Sequence, residues 1–309
     1  MIELNGVVPV IPIPFKDDES IDVGSLRRAV DWVAGQKLAG MCLPAYGSEF
    51  YKLDEREREE VVGIAIEANC RRVPVIAQAN HGSSRVAAAT ARRYEKMGAD
   101  LIAFAIPRQF RTTEADLLRY CGRICDAVST PVLVQDFNPD GATIGADFIH
   151  ALHRQHGNFR YAKLEEPMII NKLTEIRDRV GGEVGILEGW GGYYMLEAIP
   201  AGCCGIMPGV PIADLLNRVF RARQSAENER AYDLLGSLLP FINFTLQDFE
   251  LFLQVEKQLL VCRGIFDTAV LRSLTYSPTP ATLQYVSFLI AQIVRVLQRE
   301  NIPLKREAN

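Results

Sequence analysis

The sequence has no block of like charge, and 34 Lys+Arg against 38 Asp+Glu leave a net charge of only −4. That balance argues against nucleic acid or an anionic membrane as partner. No apolar run reads as the roughly 18 uninterrupted residues that cross a bilayer, because the richest runs are broken by proline. The opening MIELNGVVPV has neither a basic n-region nor a small-residue cleavage site, so the expectation is a cytoplasmic protein without a secretory leader. Cysteine is present in an odd number, seven, with no CxxC pair; Cys121 and Cys125 stand one helical turn apart and Cys203 and Cys204 are adjacent. Reduced, buried thiols are the expectation. There are four histidines, of which His150, His153 and His156 recur every three residues at the end of a helical segment. They fall on the side of the fold away from the site developed below, so no metal and no cofactor are expected.

What the sequence does have is alternation. Apolar residues make up 48% and charged residues 23%, an ordinary globular balance for 309 residues. The runs GVVPVIPIPF, GMCLPA, VPVIAQAN, LIAFAIP, PVLVQDF, RYAKLE, VGILEG and CCGIMPG read as strands, spaced at the interval of a strand–helix unit. Helix starts lie between them: Asp54 with Glu57 and Thr113 with Asp116 have capping-box spacing, and a serine-led segment closes at Gly98. Eight strands alternating with helices imply a parallel sheet closed into an α/β (β/α)8 TIM barrel. An open doubly wound sheet is weakened by the lack of a GxGxxG turn after an early strand. After CCGIMPG the alternation gives way to helical segments, the first of which serves as the eighth barrel helix. The expected division is a barrel over 1–225 and a C-terminal helical extension over 226–309.

Barrel enzymes carry their chemistry at the C-terminal ends of the strands. In RYAKLEE, strand alternation sets Tyr161, Lys163 and Glu165 on one face and the apolar Ala162 and Leu164 on the other. The helix layer takes the apolar face, so Lys163 points into the barrel. Burial there favours a neutral amine, the nucleophile that forms a Schiff base with a carbonyl substrate. The competing reading is a buried structural pair of Lys163 with Glu165 or Glu188.

The segments RVPVIAQANHGSS, KMGADLIAFAIP and AKLEEP resemble the dihydrodipicolinate synthase/N-acetylneuraminate lyase superfamily of Schiff-base-forming barrel enzymes, and the resemblance runs nearly the whole length of the chain. It implies that Lys163 is the Schiff-base lysine. The family's carboxylate-binding motif, GTTGE, reads Ala45-Tyr46-Gly47-Ser48-Glu49 here, which implies substrate binding through Gly47 and Ser48 and a structural role for Glu49. Gly205 and Met207 fall where the family brings backbone near the substrate carboxylate, and Glu188 or Trp190 falls at the distal site. Three positions depart from the synthases. Gln135 replaces the acid/base tyrosine at the end of strand five, Arg108-Gln109 replaces the tyrosine pair after strand four, and NPDGATIG lacks the arginine that binds a second substrate. Glutamine cannot move a proton.

These departures argue against dihydrodipicolinate synthase itself. The serine–glutamate loop, VQD and the K-x-E-x-P pattern are similar instead to 2-keto-3-deoxy sugar-acid dehydratases of the L-2-keto-3-deoxyarabonate type. The resemblance implies a lyase in which Lys163 condenses with a 2-oxo acid and Gln135 positions a hydroxyl or a water; for the base, strand phase offers Glu165, beside an ordered water or the substrate's own carboxylate. A retro-aldolase releasing pyruvate and a non-catalytic 2-oxo-acid-binding protein are the alternatives. The expected partners are a small 2-oxo acid and further copies of the chain, as a dimer or tetramer. Lys257, on a late helix, reads as a solvated or snorkelling lysine, and Lys172 has helical context and no barrel-facing strand.

Overall fold

The computed structural model describes residues 3–108, 112–138 and 143–304. All eight expected strands form: β1 (Gly6–Val7), β2 (Met41–Leu43), β3 (Val75–Gln78), β4 (Leu101–Ala105), β5 (Val132–Asp136), β6 (Phe159–Leu164), β7 (Gly185–Glu188) and β8 (Gly205–Ile206). They run parallel in the order β1-β8-β7-β6-β5-β4-β3-β2. The barrel closes between β1 and β2, where Ile11 N donates to Cys42 O (2.9 Å) and Cys42 N to Pro9 O (3.0 Å). The long run GVVPVIPIPF contributes only a two-residue strand, and its remainder stays extended with isolated bridges at Val10 and Phe15. Three prolines in that run remove the N–H groups a continuous ladder would need.

The helices are α1 (Val23–Gly35), α2 (Glu55–Asn69), α3 (Ser84–Met97), α4 (Glu114–Cys125), α5 (Ala146–Gln155), α6 (Ile169–Val180), α7 (Met195–Ala198), α8 (Ala213–Gln224), α9 (Asn228–Thr245), α10 (Phe249–Cys262) and α11 (Pro280–Arg299). Both expected capping boxes are made, at Asp54/Glu57 and Thr113/Asp116. Ser83 occupies the N-cap of α3 without a side-chain cap bond, while Gly98 ends that helix at φ +102°, a conformation that costs glycine nothing.

Strand phase divides the buried residues. Val8, Cys42, Ile76, Leu101, Leu133, Tyr161 and Leu187 fill the barrel interior, and Ala162 and Leu164 pack outward against the helices. Helices α8 to α11 share one apolar core with α1 and β1. Helix α11 corrects the sequence reading of apolar runs: with 20 residues and an 18-residue stretch of mean hydropathy 1.3, it is long and apolar enough to cross a membrane. Here it buries one stripe, Val286, Leu289, Ile293, Val296 and Leu297, against the protein. Each such side chain contributes about 1.5–3 kcal/mol by leaving water. Cys70 corrects the expectation of buried thiols, being exposed in the left-handed turn that ends α2.

Candidate active site

Lys163 faces inward with Tyr161 below it and Gln135 beside it in register on β5. Its Nζ lies 2.7 Å from Glu165 Oε1. Gln135 donates through Nε2 to the same oxygen (2.9 Å), and its own Oε1 accepts from Gln78 Nε2 (2.7 Å). Cys42 Sγ continues the row with a weaker contact to Gln78 Oε1 (3.7 Å). Four strand ends thus form one polar line across the barrel. Because Gln78 donates, the Gln135 amide is fixed with its nitrogen toward Glu165, which accepts from both Gln135 and Lys163. Burial pushes the Glu165 carboxyl above the ordinary range for glutamate, and Lys163 pulls against that shift. A carboxylate so placed is a stronger base than one in water.

Gly189 makes room for this arrangement. A Cβ there would fall on Glu165 Oε1 and Lys163 Cε. Beside the pair lies a cavity of about 370 Å³, lined by Lys163, Glu165 and Gln135, by Gly47 and Met207, and by the rings of Tyr46, Phe137, Trp190, Phe249 and Phe252. The rings touch one another: Tyr46–Phe137 at 5.6 Å, Phe137–Trp190 at 6.2 Å and Phe249–Phe252 at 5.8 Å between centroids. Burial first, then the charges of Glu165 and Asp136, raise the Tyr46 phenol above its ordinary value.

A family model, the dihydrodipicolinate synthetase family, matches residues 3–285. The chain belongs to this family. It is similar to L-2-keto-3-deoxyarabonate dehydratase of Azospirillum brasilense, with 32% identity over 245 residues, 77% of this chain and 78% of the relative. It is also similar to a probable 5-dehydro-4-deoxyglucarate dehydratase of Bradyrhizobium sp. (strain ORS 278), at 30% identity over 48% of this chain and 46% of that one. Among solved structures, the 4-hydroxy-tetrahydrodipicolinate synthase of Methylacidiphilum fumariolicum SolV superposes with a TM-score of 0.88 at 20% identity, covering 96% of this chain and 98% of that one, a likeness of fold. The protein is therefore a lyase of the dihydrodipicolinate synthetase family with a TIM-barrel fold.

Several residues expected to bind substrate are placed elsewhere. Ser48 is buried with its hydroxyl donating to Ile11 O (2.6 Å) and its N–H to Ala45 O (3.0 Å), so both of its donors face the loop rather than the cavity. Gly47 remains in the wall. Glu188 accepts from Trp190 N (2.9 Å) and Gly192 N (3.0 Å), holding the EGWGG turn, and burial pushes its carboxyl up to about 8. The neighbouring Trp190 lines the cavity instead. Gly205 lies outside the wall, where an added Cβ would come 2.6 Å from Gly6 O, so glycine serves the close approach of β8 to β1.

Arg108 binds Asp136 through Nε (2.9 Å) and Nη2 (2.5 Å), tying the ends of β4 and β5 together; Gln109 lies outside the described residues. Lys257 is not solvated. It is fully buried, pairs with Glu49 Oε1 at 2.5 Å and donates to Val270 O at 2.9 Å, and burial lowers it to about 8. Lys172 pairs with Glu166 (3.0 Å). His153 meets Phe159 O and Glu183, and His156 meets Asp126.

Sequence reasoning missed Gln78 and the cavity wall from Leu246 to Phe252. Gln78 ends β3 in the strand phase of Ile76, which faces the barrel interior, so alternation could have found it. The stretch LQDFELF carries two phenylalanines three apart just after a helix ends, a signal of an aromatic face but not of where it docks.

Proposed function

We propose that the protein is a Schiff-base lyase that dehydrates a 2-oxo acid bearing a C4 hydroxyl, of the 2-keto-3-deoxy sugar-acid class. The observation that carries this reading is the Glu165 carboxylate bridged between Lys163 and Gln135 at the edge of the cavity. Lys163 attacks the C2 ketone, Glu165 relays the protons shed by the amine to the ketone oxygen, and that oxygen leaves as water as the iminium forms, with Glu165 again a carboxylate. The iminium acidifies the C3–H bond. Glu165 takes a C3 proton, and the electron pair of the resulting enamine expels the C4 hydroxyl, which leaves as water with the proton that Glu165 returns. Hydrolysis of the unsaturated iminium frees Lys163.

This sequence uses one carboxylate as both base and acid and needs no phenol at strand five, where the chain has Gln135. Gln135 instead orients Glu165, since its amide is engaged at both ends. No second substrate enters, in keeping with the absence of the synthase arginine from the sequence. Similarity over 77% of the chain to a dehydratase of a keto-deoxy sugar acid supports the same reading. A retro-aldol cleavage would have to deprotonate the C4 hydroxyl, which Gln135 cannot do. The test is borohydride reduction in the presence of pyruvate and of a panel of 2-keto-3-deoxy acids, followed by peptide mass spectrometry. An adduct on the peptide carrying Lys163 is expected, together with release of one water per turnover from the preferred acid. A folded sample that traps none of these acids overturns the proposal.

A further inference from the structure

We infer that the connection between α9 and α10 selects the charge of the substrate's far end, and that the substrate is a monocarboxylate whose distal end is uncharged. This rests on reading the cavity as a 2-oxo-acid site and adds its substrate class.

Leu246, Gln247, Asp248 and Phe249 line the cavity that holds Lys163 and Glu165. Asp248 also borders a shallow outer groove with Tyr51 and Lys52, which Lys163 does not reach, so it stands at the mouth, away from the amine. Its carboxylate is held in place: Oδ1 accepts from Leu251 N (2.9 Å) as the N-cap of α10. A helix N-terminus is the feature of this wall that would attract an anion, and a carboxylate already occupies it. Among the described residues of the wall, Lys163 is the one cation, and a 2-oxo acid's C1–C2 end takes it. Lys52, on the outer side, is engaged by Glu49 (3.1 Å) and Glu250 (2.6 Å).

A second carboxylate or a phosphate at the far end of the substrate would leave water to meet aromatic rings and a fixed negative charge. Losing hydration without a partner among the described residues is unfavourable, and like charges add to the penalty. A terminal hydroxyl meets neither obstacle and can donate to Asp248. Asp248 is exposed, so water and salt screen its field, and the charge effect is modest and sensitive to ionic strength.

The test uses matched pairs of ligands, 2-oxopentanoate against 2-oxopentanedioate and 2-oxohexanoate against 2-oxohexanedioate, with dissociation constants from calorimetry at low and high salt. The monoacid is expected to bind about tenfold tighter at low salt, with a smaller gap at high salt. Asp248→Asn keeps a good N-cap and is expected to narrow the low-salt gap at least threefold. Equal or tighter binding of the diacids, no measurable binding of either kind, or a gap unaltered in Asp248→Asn overturns the inference. Selective binding without any trapped adduct would sustain it and overturn the imine chemistry instead.

Discussion

Glu165 and Gly189 carry the sharpest consequences at the scale of single residues. Replacing Glu165 with glutamine removes the proposed proton acceptor while keeping a side chain of the same shape. A fall in kcat of about 10²–10⁴ is expected, the usual contribution of a general base, with KM little changed. Equal kcat in the variant, measured by single-turnover kinetics, would remove Glu165 from the proposed mechanism. Gly189→Ala would set a methyl on the Lys163–Glu165 pair. Trapping of pyruvate is expected to be lost while the far-UV circular dichroism stays that of the wild type. Lys163 and Glu165 were legible because alternation within one strand separates inward from outward positions. Ser48 and Glu188 were not, because each lies in a turn where alternation has ended and the nearest donor or acceptor decides the rotamer. Ser48 meets Ile11 O, and Glu188 meets two backbone N–H groups of its own turn.

Elements of secondary structure were legible where the local signals agreed. Asp54 and Thr113 start helices as their spacing predicts, and all eight strands occur in the expected places. What sequence could not supply is how α10 meets the loop after β2. That contact depends on two residues about 200 positions apart, Glu49 and Lys257, which pair in full burial. Lys257 read as solvated or snorkelling because it stands on a late helix, beyond the strands whose alternation separates inward from outward positions. Breaking a buried pair leaves one charge without its partner. Glu49 would keep Lys52 at 3.1 Å. Lys257→Met is therefore expected to cost about 3 kcal/mol, the low end of the range for such a loss. Urea unfolding measures it. In the double variant with Glu49→Gln the cost should fall below the sum of the two single costs, and simple additivity would show that the pair is not coupled.

On the scale of the whole molecule, protonation links stability to pH. Glu188 rises to about 8 in the folded chain from an ordinary 4.5. Between those values the folded state holds a proton that the unfolded state has lost, so stability falls as pH rises through the interval. Below about pH 4.5 the contribution is complete, and above about 8 it is gone. The Tm of the wild type is expected to decline relative to that of Glu188→Gln between about pH 5 and pH 8. Parallel Tm curves would place Glu188 at an ordinary value. The barrel itself was readable from one period repeated eight times, whereas the packing of α9 to α11 onto it depends on which apolar faces meet, and periodicity marks a face without naming its neighbour.

The cavity draws its reactive groups from β5 and β6 and its mouth from the α9–α10 connection, more than 80 residues further along the chain. On the proposed reading, reactivity and preference are encoded in separate stretches of sequence. Exchanging the short stretch 246–249 between relatives could give one barrel the diet of another while the machinery on its strands is inherited untouched.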